Sequence, residues 1–272
     1  MRHLLSLEDL SPSDIDEIFA LADAYATGRG PALDGAAVMF FPPSSLRTRV
    51  SFERGAGLAG LQPIAFPPET LDKPEALEDV VGYLAQFASL AVVRHPDLEV
   101  LRGLAVAEAL PVVNAMTNEN HPCEVLSDLY ALRATRSLEG LRVLFVGATG
   151  NIGRAWREGA AVSGIRLTQC APAGLEMAGV RQNPVLDEAV LEADIIITDG
   201  PGRHAEALEP YRIEARHLEA APAGVVLAPC PPFVRDREVS AEAIAHPAFA
   251  GYGFKRSLLP VQQAVMAWCL GA

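Results

Sequence analysis

The sequence predicts an α/β protein of two domains, each a parallel β-sheet flanked by helices. Three observations lead there. Short apolar runs of strand length recur along the chain, segments with helical spacing separate them, and this alternation runs through both halves. A glycine-rich turn, Gly147 to Gly153, joins one such run to a helix just past the midpoint. Strands alternating with helices imply parallel sheets covered on both faces.

The elements follow in order. Ser11-Pro12-Ser13-Asp14 is a helix start, because serine caps, proline tolerates the first turn and aspartate favours the positive end. Ile15, Ile18, Phe19 and Ala22 then share one helical face. Ala36 to Phe41 reads as a buried strand, broken by Pro42-Pro43-Ser44-Ser45, with a helix from about Arg47 to Leu58. Gln62 to Phe66 is a second strand, Pro67 to Pro74 a loop and Glu75 to Phe87 a helix. Leu90 to Val93 is a strand ending at Arg94-His95-Pro96. Val112 and Val113 belong to another, ending in the polar stretch Asn114 to Asn120, and His121-Pro122 opens a helix to about Thr135. A new unit begins at Leu141, with strands at Arg142 to Val146, Arg166 to Cys170, Asp194 to Thr198 and Val225 to Leu227, and a helix from Ala155 to Ser163. The last helix, Leu259 to Leu270, is apolar on one side. The division falls at residues 1–133 and 134–254, and residues 255–272 are expected to pack back on the first domain.

Composition narrows the function. Half of the 272 residues are hydrophobic, ample for buried cores, and a net charge of −12 argues against bulk nucleic-acid binding. Lys73 and Lys255 are the only lysines, so arginine supplies nearly all positive charge. Cys123, Cys170, Cys230 and Cys269 lie far apart without a CxxC pair, which fits a reducing compartment and neither a disulfide framework nor a metal site. The amino terminus lacks a signal-peptide pattern, and no apolar run approaches the ~20 residues that cross a bilayer. The expectation is a soluble cytoplasmic protein without membrane or nucleic-acid partners, metal or cofactor.

Ser44-Ser45-Leu46-Arg47-Thr48-Arg49 sits between a strand and a helix. A helix amino end offers free N–H groups and a positive dipole end, and guanidinium and hydroxyl donors add to it, so this spacing suits phosphate. A capped helix with solvated arginines is the other reading of the same spacing.

The wider segment Phe40 to Glu53, FFPPSSLRTRVSFE, resembles the carbamoyl-phosphate signature of the aspartate and ornithine carbamoyltransferase family. Lys73-Pro74-Glu75-Ala76-Leu77-Glu78-Asp79 is similar to the lysine loop of the aspartate enzymes, Val93-Arg94-His95-Pro96 to the family's arginine-bearing strand end, and His121-Pro122-Cys123-Glu124 to its H-P-C-Q segment. The matches keep their order over nearly the whole chain. The resemblance implies a transferase that passes the carbamoyl group of carbamoyl phosphate to an amino acid's amine, by direct attack through a tetrahedral intermediate. Residues 1–133 would bind the donor. Ser45, Leu46, Arg47 and Thr48 would hold phosphate, and Thr48, Arg94 and His121 would stabilise the carbonyl oxygen as charge develops. Glu124, Arg256 and Lys73 complete the implied donor site, Lys73 by reaching a neighbouring subunit, which implies a homotrimer. Residues 134–254 would bind the acceptor through Asn151, Asp199 and Cys230, an ornithine-like set, which implies an active site in the interdomain cleft.

Departures accompany the resemblance. Leu46 replaces a threonine, Pro229 a histidine, and Glu124 the glutamine that contacts the carbamoyl amide. A carboxylate accepts from an NH₂ but cannot donate, and it sets negative charge near a dianion unless a cation compensates. After Asp199 the text runs Gly200-Pro201-Gly202-Arg203, without the ornithine enzymes' Ser-Met-Gly loop, so Arg203 or Arg154 is expected to pair with an acceptor carboxylate. Two other readings stand beside this one. A non-catalytic or altered-donor relative would explain the departures. A nicotinamide-dependent reductase would explain Val143 to Ala155, VLFVGATGNIGRA, although the next strand ends without a carboxylate for a ribose.

Overall fold

Ser11 closes a capping box at the start of α1 (Pro12–Ala26). Its hydroxyl accepts from the Asp14 N–H at 3.2 Å, and the Asp14 carboxylate accepts from the Ser11 N–H at 2.8 Å. Such a cap contributes about 1 kcal/mol. The computed structural model describes residues 1–272, which form two units: residues 1–131 with 255–272, and residues 132–254.

In the first unit, β1 (Ala36–Phe40) is wholly buried. It leads to α2 (Arg47–Ala59), which ends on Gly60 at φ 108°. A Cβ there would lie 2.2 Å from the Leu33 carbonyl oxygen, so only glycine fits. Next come β2 (Gln62–Phe66) and α3 (Leu77–Leu84). α3 is shorter than the residues 75–87 expected, because Pro74 keeps the chain bent and Ala76 is still extended. β3 (Leu90–Arg94), α4 (Leu98–Val106), β4 (Val112–Met116) and α5 (Pro122–Arg133) complete the series. The helix α4, capped by Asp97, was not foreseen in the sequence. All four strands are parallel in the order β2-β1-β3-β4. One face buries Val38, Phe40 and Val93 against Val81, Leu98 and Leu101 of α3 and α4. The alternate residues Ala37 and Met39 point to the other face and are equally buried. β2, which contains Pro63, is the exposed edge.

The second unit starts with β5 (Arg142–Val146) and α6 (Asn151–Ser163), whose first turn begins directly after Gly150. β6 (Arg166–Cys170), the two-residue β7 (Arg181–Gln182), α7 (Leu186–Ala189), β8 (Ile195–Thr198), α8 (Ala205–Leu208), α9 (Ala215–Ala220), β9 (Val226–Leu227) and α10 (Ala241–Ala245) follow. The sheet is parallel in the order β7-β6-β5-β8-β9. Arg142 donates through Nε and Nη2 to the Asp194 carboxylate at 3.0 and 2.6 Å, clamping the start of β5 to the residue before β8. Ile196, Leu144, Leu218 and Ile244 lie in its core.

The chain then re-enters the first unit as α11 (Leu258–Leu270), packed on α1 and α2. Val261 to Cys269 are all buried, Gln262 and Gln263 included, so this helix is enclosed on every side and not on one face alone. Trp268 donates its indole N–H to Glu17 of α1 at 3.1 Å. No helix is long and apolar enough to cross a membrane.

Candidate active site

The carboxyl ends of β1, β3 and β4 gather the polar side chains of the first unit. α2 starts without a side-chain cap, and the amides of Arg47, Thr48 and Arg49 find no acceptor in the chain. Four N–H groups at a helix start have no partner within the helix, and here they remain open to an anion. Ser45 and Thr48 are buried, Arg47 is exposed, and Leu46 is 68% exposed. The register of β3 against β4 shifts between Val93 and Arg94, a bulge that re-aims the arginine. Arg94 Nη1 donates to Ser45 Oγ at 3.3 Å. Burial and then the neighbouring Arg47 charge hold its guanidinium below its ordinary pKa. Two like charges kept this close to open N–H groups describe a seat for a small anion. Arg49 does not join them, since its Nε is paired with Glu53 at 2.7 Å.

His121 arrives on a stiff loop. Asn114 donates to Asn120 Oδ1 at 2.6 Å and to the Leu5 carbonyl at 2.8 Å, while Thr117 Oγ1 accepts from the Asn120 N–H at 3.1 Å. The imidazole is buried and its Nδ1 has no partner. Burial, helped by the Arg94 and Lys255 charges and opposed by Glu124, lowers its pKa to about 4. The ring is therefore neutral near pH 7 and presents one N–H.

Beside it, Lys255 Nζ donates to Glu124 Oε1 at 2.7 Å and to Asp128 Oδ1 at 2.6 Å. All three side chains are largely buried. Burial would raise the Glu124 pKa, but Lys255, His121 and Arg47 outweigh it and hold it below the usual carboxylate range. Asp128 is pushed up to about 6 by burial and by the Glu124 charge, against the pull of Lys255. Of the pair Lys255-Arg256, the lysine turns to Glu124, whereas Arg256 is exposed. Lys73 is also exposed, on the bend before α3. Lys255 and Asp128 were missed in the sequence. The available signal was two acids four residues apart on a helix flanked by Val125, Leu126 and Leu129, a spacing that calls for a buried cation.

In the second unit, three of the expected acceptor residues are neighbours. Asp199 follows β8, and a Cβ on Gly150 would sit 3.5 Å from Asp199 Oδ2, which puts the carboxylate at the amino end of α6 beside Asn151. The Cys230 N–H donates to the Thr198 carbonyl at 2.9 Å, and the thiol is buried. Arg154 lies one turn along α6. Arg203 is exposed and donates from Nε to His204 Nε2 at 3.1 Å.

Residues 2–134 match the sequence family described as aspartate/ornithine carbamoyltransferase, carbamoyl-P binding domain. An ornithine carbamoyltransferase from Methanothermobacter thermautotrophicus is 31% identical over 304 aligned residues, covering 100% of this chain and 99% of that protein. The chain belongs to the aspartate/ornithine carbamoyltransferase family. The ornithine carbamoyltransferase of Chromobacterium violaceum is 29% identical over 99% of the chain and 97% of that protein. The crystal structure of the Gloeobacter violaceus ornithine carbamoyltransferase superposes with a TM-score of 0.90 at 26% identity, covering 100% of both chains. That of Pyrococcus furiosus reaches 0.92 at 23% identity, covering 100% of this chain and 97% of the other, which shows the shared fold.

Membership in the carbamoyltransferase family also accounts for the glycine-rich turn. A Cβ on Gly153 would come within 2.9 Å of the Phe145 ring and 3.0 Å of Met177 Sδ, so this glycine lets α6 pack on β5. Asp199 places a carboxylate where a dinucleotide would need to seat its pyrophosphate. Both features speak against the reductase reading.

Proposed function

We propose that this chain transfers the carbamoyl group of carbamoyl phosphate to the amine of an amino acid, with an ornithine-like acceptor favoured. The observation that carries the reading is the grouping of Ser45, Arg47 and Arg94 with a buried neutral His121 at the uncapped end of α2. The phosphate dianion lies against the α2 amides, Ser45, Arg47 and Thr48. Thr48, Arg94 and His121 donate to the carbonyl oxygen, and their donors gain strength as charge collects there in the transition state. The neutral amine attacks the carbonyl carbon, a tetrahedral intermediate forms, and its collapse breaks the C–O bond as the amine's proton passes to the departing phosphate. No covalent enzyme intermediate is needed, and holding both reactants together supplies much of the remaining rate. Glu124 accepts from the carbamoyl NH₂, and Lys255 neutralises the negative charge that this substitution brings in. Asn151, Asp199 and Cys230 take the acceptor, with Arg203 and Arg154 available to an acceptor carboxylate.

The working form in this proposal is a cytoplasmic homotrimer in which Lys73 reaches a neighbouring subunit. Its support is the exposed apolar set of Leu46, at the start of α2, with Val50 and Leu58 along it. Light scattering after size exclusion tests the assembly, and a monomer at micromolar concentration would refute it. For the reaction, calorimetric titration with carbamoyl phosphate is followed by a panel of amines assayed for ureido product. Saturable donor binding and turnover of at least one amine are expected. Absence of donor binding would overturn the reading, and binding without turnover of any amine would make the chain a non-catalytic relative.

A further inference from the structure

Of the chain's two lysines, Lys255 is held by Glu124 and Asp128, and Lys73 alone is exposed. A long side chain on a loose loop loses much conformational freedom when it meets a ligand, and a fixed backbone beneath it reduces that loss. The backbone around Lys73 is fixed on both sides. Upstream, a short 3₁₀ turn (Pro68–Leu71) sinks Leu71 into the core that holds Phe40 and Val93. Downstream, the Glu75 N–H donates to the Lys73 carbonyl at 2.8 Å, and the ring of Pro74 restricts φ.

Asp72 stands between these two anchors. Its Oδ1 accepts from His95 Nε2 at 3.0 Å. His95 is buried just past β3, and its backbone N–H donates to the Met116 carbonyl of β4 at 3.2 Å, so the ring is a fixed post on the first sheet. The Asp97 N–H donates to His95 Nδ1 at 3.1 Å, which places the neutral ring's hydrogen on Nε2, facing the carboxylate. In the protonated ring Nδ1 also carries a hydrogen, and the Asp97 carbonyl 3.2 Å away can accept it, so the link to Asp72 holds in both charge states. One hydrogen bond therefore joins the residue before Lys73 to the residue after Arg94, the flanks of two expected donor contacts. The Asp72 side chain is itself 57% exposed, and a pair of that kind contributes little to global stability. Removing it loosens the bend and leaves the fold.

We propose that Asp72, braced on His95, is a positioning residue that fixes the direction in which Lys73 reaches for the donor. Neither Asp72 nor His95 touches the substrate in this arrangement. The inference rests on the reading of Lys73 as a donor contact and adds what holds that lysine in place.

The test is a double-variant cycle on the full chain, read as the dissociation constant for carbamoyl phosphate by calorimetry, with thermal melts to confirm folding. Lys73→Ala should weaken the donor. Asp72→Ala should weaken it about tenfold, the loss expected for a hydrogen bond with one charged partner. Asp72→Asn keeps an oxygen for His95 Nε2 and should stay within about threefold of the parent. In the Lys73→Ala background, Asp72→Ala should add less than about twofold, because the aspartate then has no lysine to direct. A merely structural aspartate would cost the same factor with and without Lys73, and that result overturns the proposal. Asp72→Ala binding within about twofold of the parent, while Lys73→Ala binds weakly, overturns this inference alone. Unchanged donor binding in Lys73→Ala overturns the reading of Lys73 as a donor contact, and this inference with it.

Discussion

Lys255→Met removes the ammonium shared by Glu124 and Asp128 and leaves two buried carboxylates with no cation between them. At 2.7 Å, and with an effective dielectric near 20, one such unit pair attracts by about 6 kcal/mol. Desolvation of each ion and repulsion between the two acids consume most of that gross attraction. The cost of deleting the cation alone is the larger and better attested quantity, ~3–5 kcal/mol for a buried pair left half-occupied. Glu124→Gln should cost ~1.5 kcal/mol or less, since the Lys255–Asp128 contact survives and one of two like charges disappears. The double variant Glu124→Gln/Lys255→Met should be more stable than the sum of the single losses predicts, by about 2 kcal/mol. Urea denaturation of the four proteins at pH 7.5 measures the cycle. In the same set, Lys255→Met should weaken carbamoyl phosphate at least about tenfold, because two uncompensated anions then face the dianion. A loss of stability below about 1 kcal/mol, with donor affinity within about twofold of the parent, would refute the account of Lys255 as the compensating charge.

Three further outcomes follow from the same geometry. Arg94→Ala should lower kcat/KM by about 10²–10³-fold, and Arg94→Lys should recover only part of it because a point charge lacks the guanidinium fork; near-parental activity of the alanine variant would exclude a role at the carbonyl oxygen. Asp128→Asn should unmask a pH slope in stability. His121, lowered to about 4 from 6.5, contributes stability that is full above pH 6.5 and lost as pH falls through 4, while Asp128, raised to about 6 from 3.8, contributes stability that is full below 3.8 and lost as pH rises through 6. Between pH 4 and 6 these two slopes oppose at about 1.4 kcal/mol per pH unit each, so Asp128→Asn should lose more stability on acidification than the parent does; parallel curves would contradict the assignment. Arg203→Ala and Arg154→Ala should raise KM for ornithine and leave a diamine without a carboxylate unaffected, and unaltered ornithine kinetics in both would remove these arginines from the acceptor site.

The fold was legible because its strands are buried on both faces, so Ala36 to Phe41 and Leu90 to Val93 stand out as unbroken apolar runs. The donor motif was legible because it is contiguous, one strand end running straight into one helix start. What was hidden depends on distance along the chain. Lys255 meets Glu124 across 131 residues, so no local spacing relates them, and the glutamate alone looked like a loss of function. Arg256 looked the better match because arginine is the family's residue there, yet its side chain is solvent-facing. β7, at two residues, is too short to leave a pattern. A cavity beside Asp199 is lined from three separated segments of the chain, around residues 146–147, 199–212 and 236–238, and could not be read from any one of them.

The re-entry of residues 255–272 into the first unit has a consequence for biogenesis. A ribosome delivers residues 1–131 early, but α1 and α2 then lack α11, the helix they pack on. The second unit is continuous in sequence and can close as soon as it emerges. The first unit therefore matures last although its synthesis begins first. A stalled or truncated chain would leave α1 and α2 without the helix they pack on, a sticky nascent surface for chaperones to hold until translation ends.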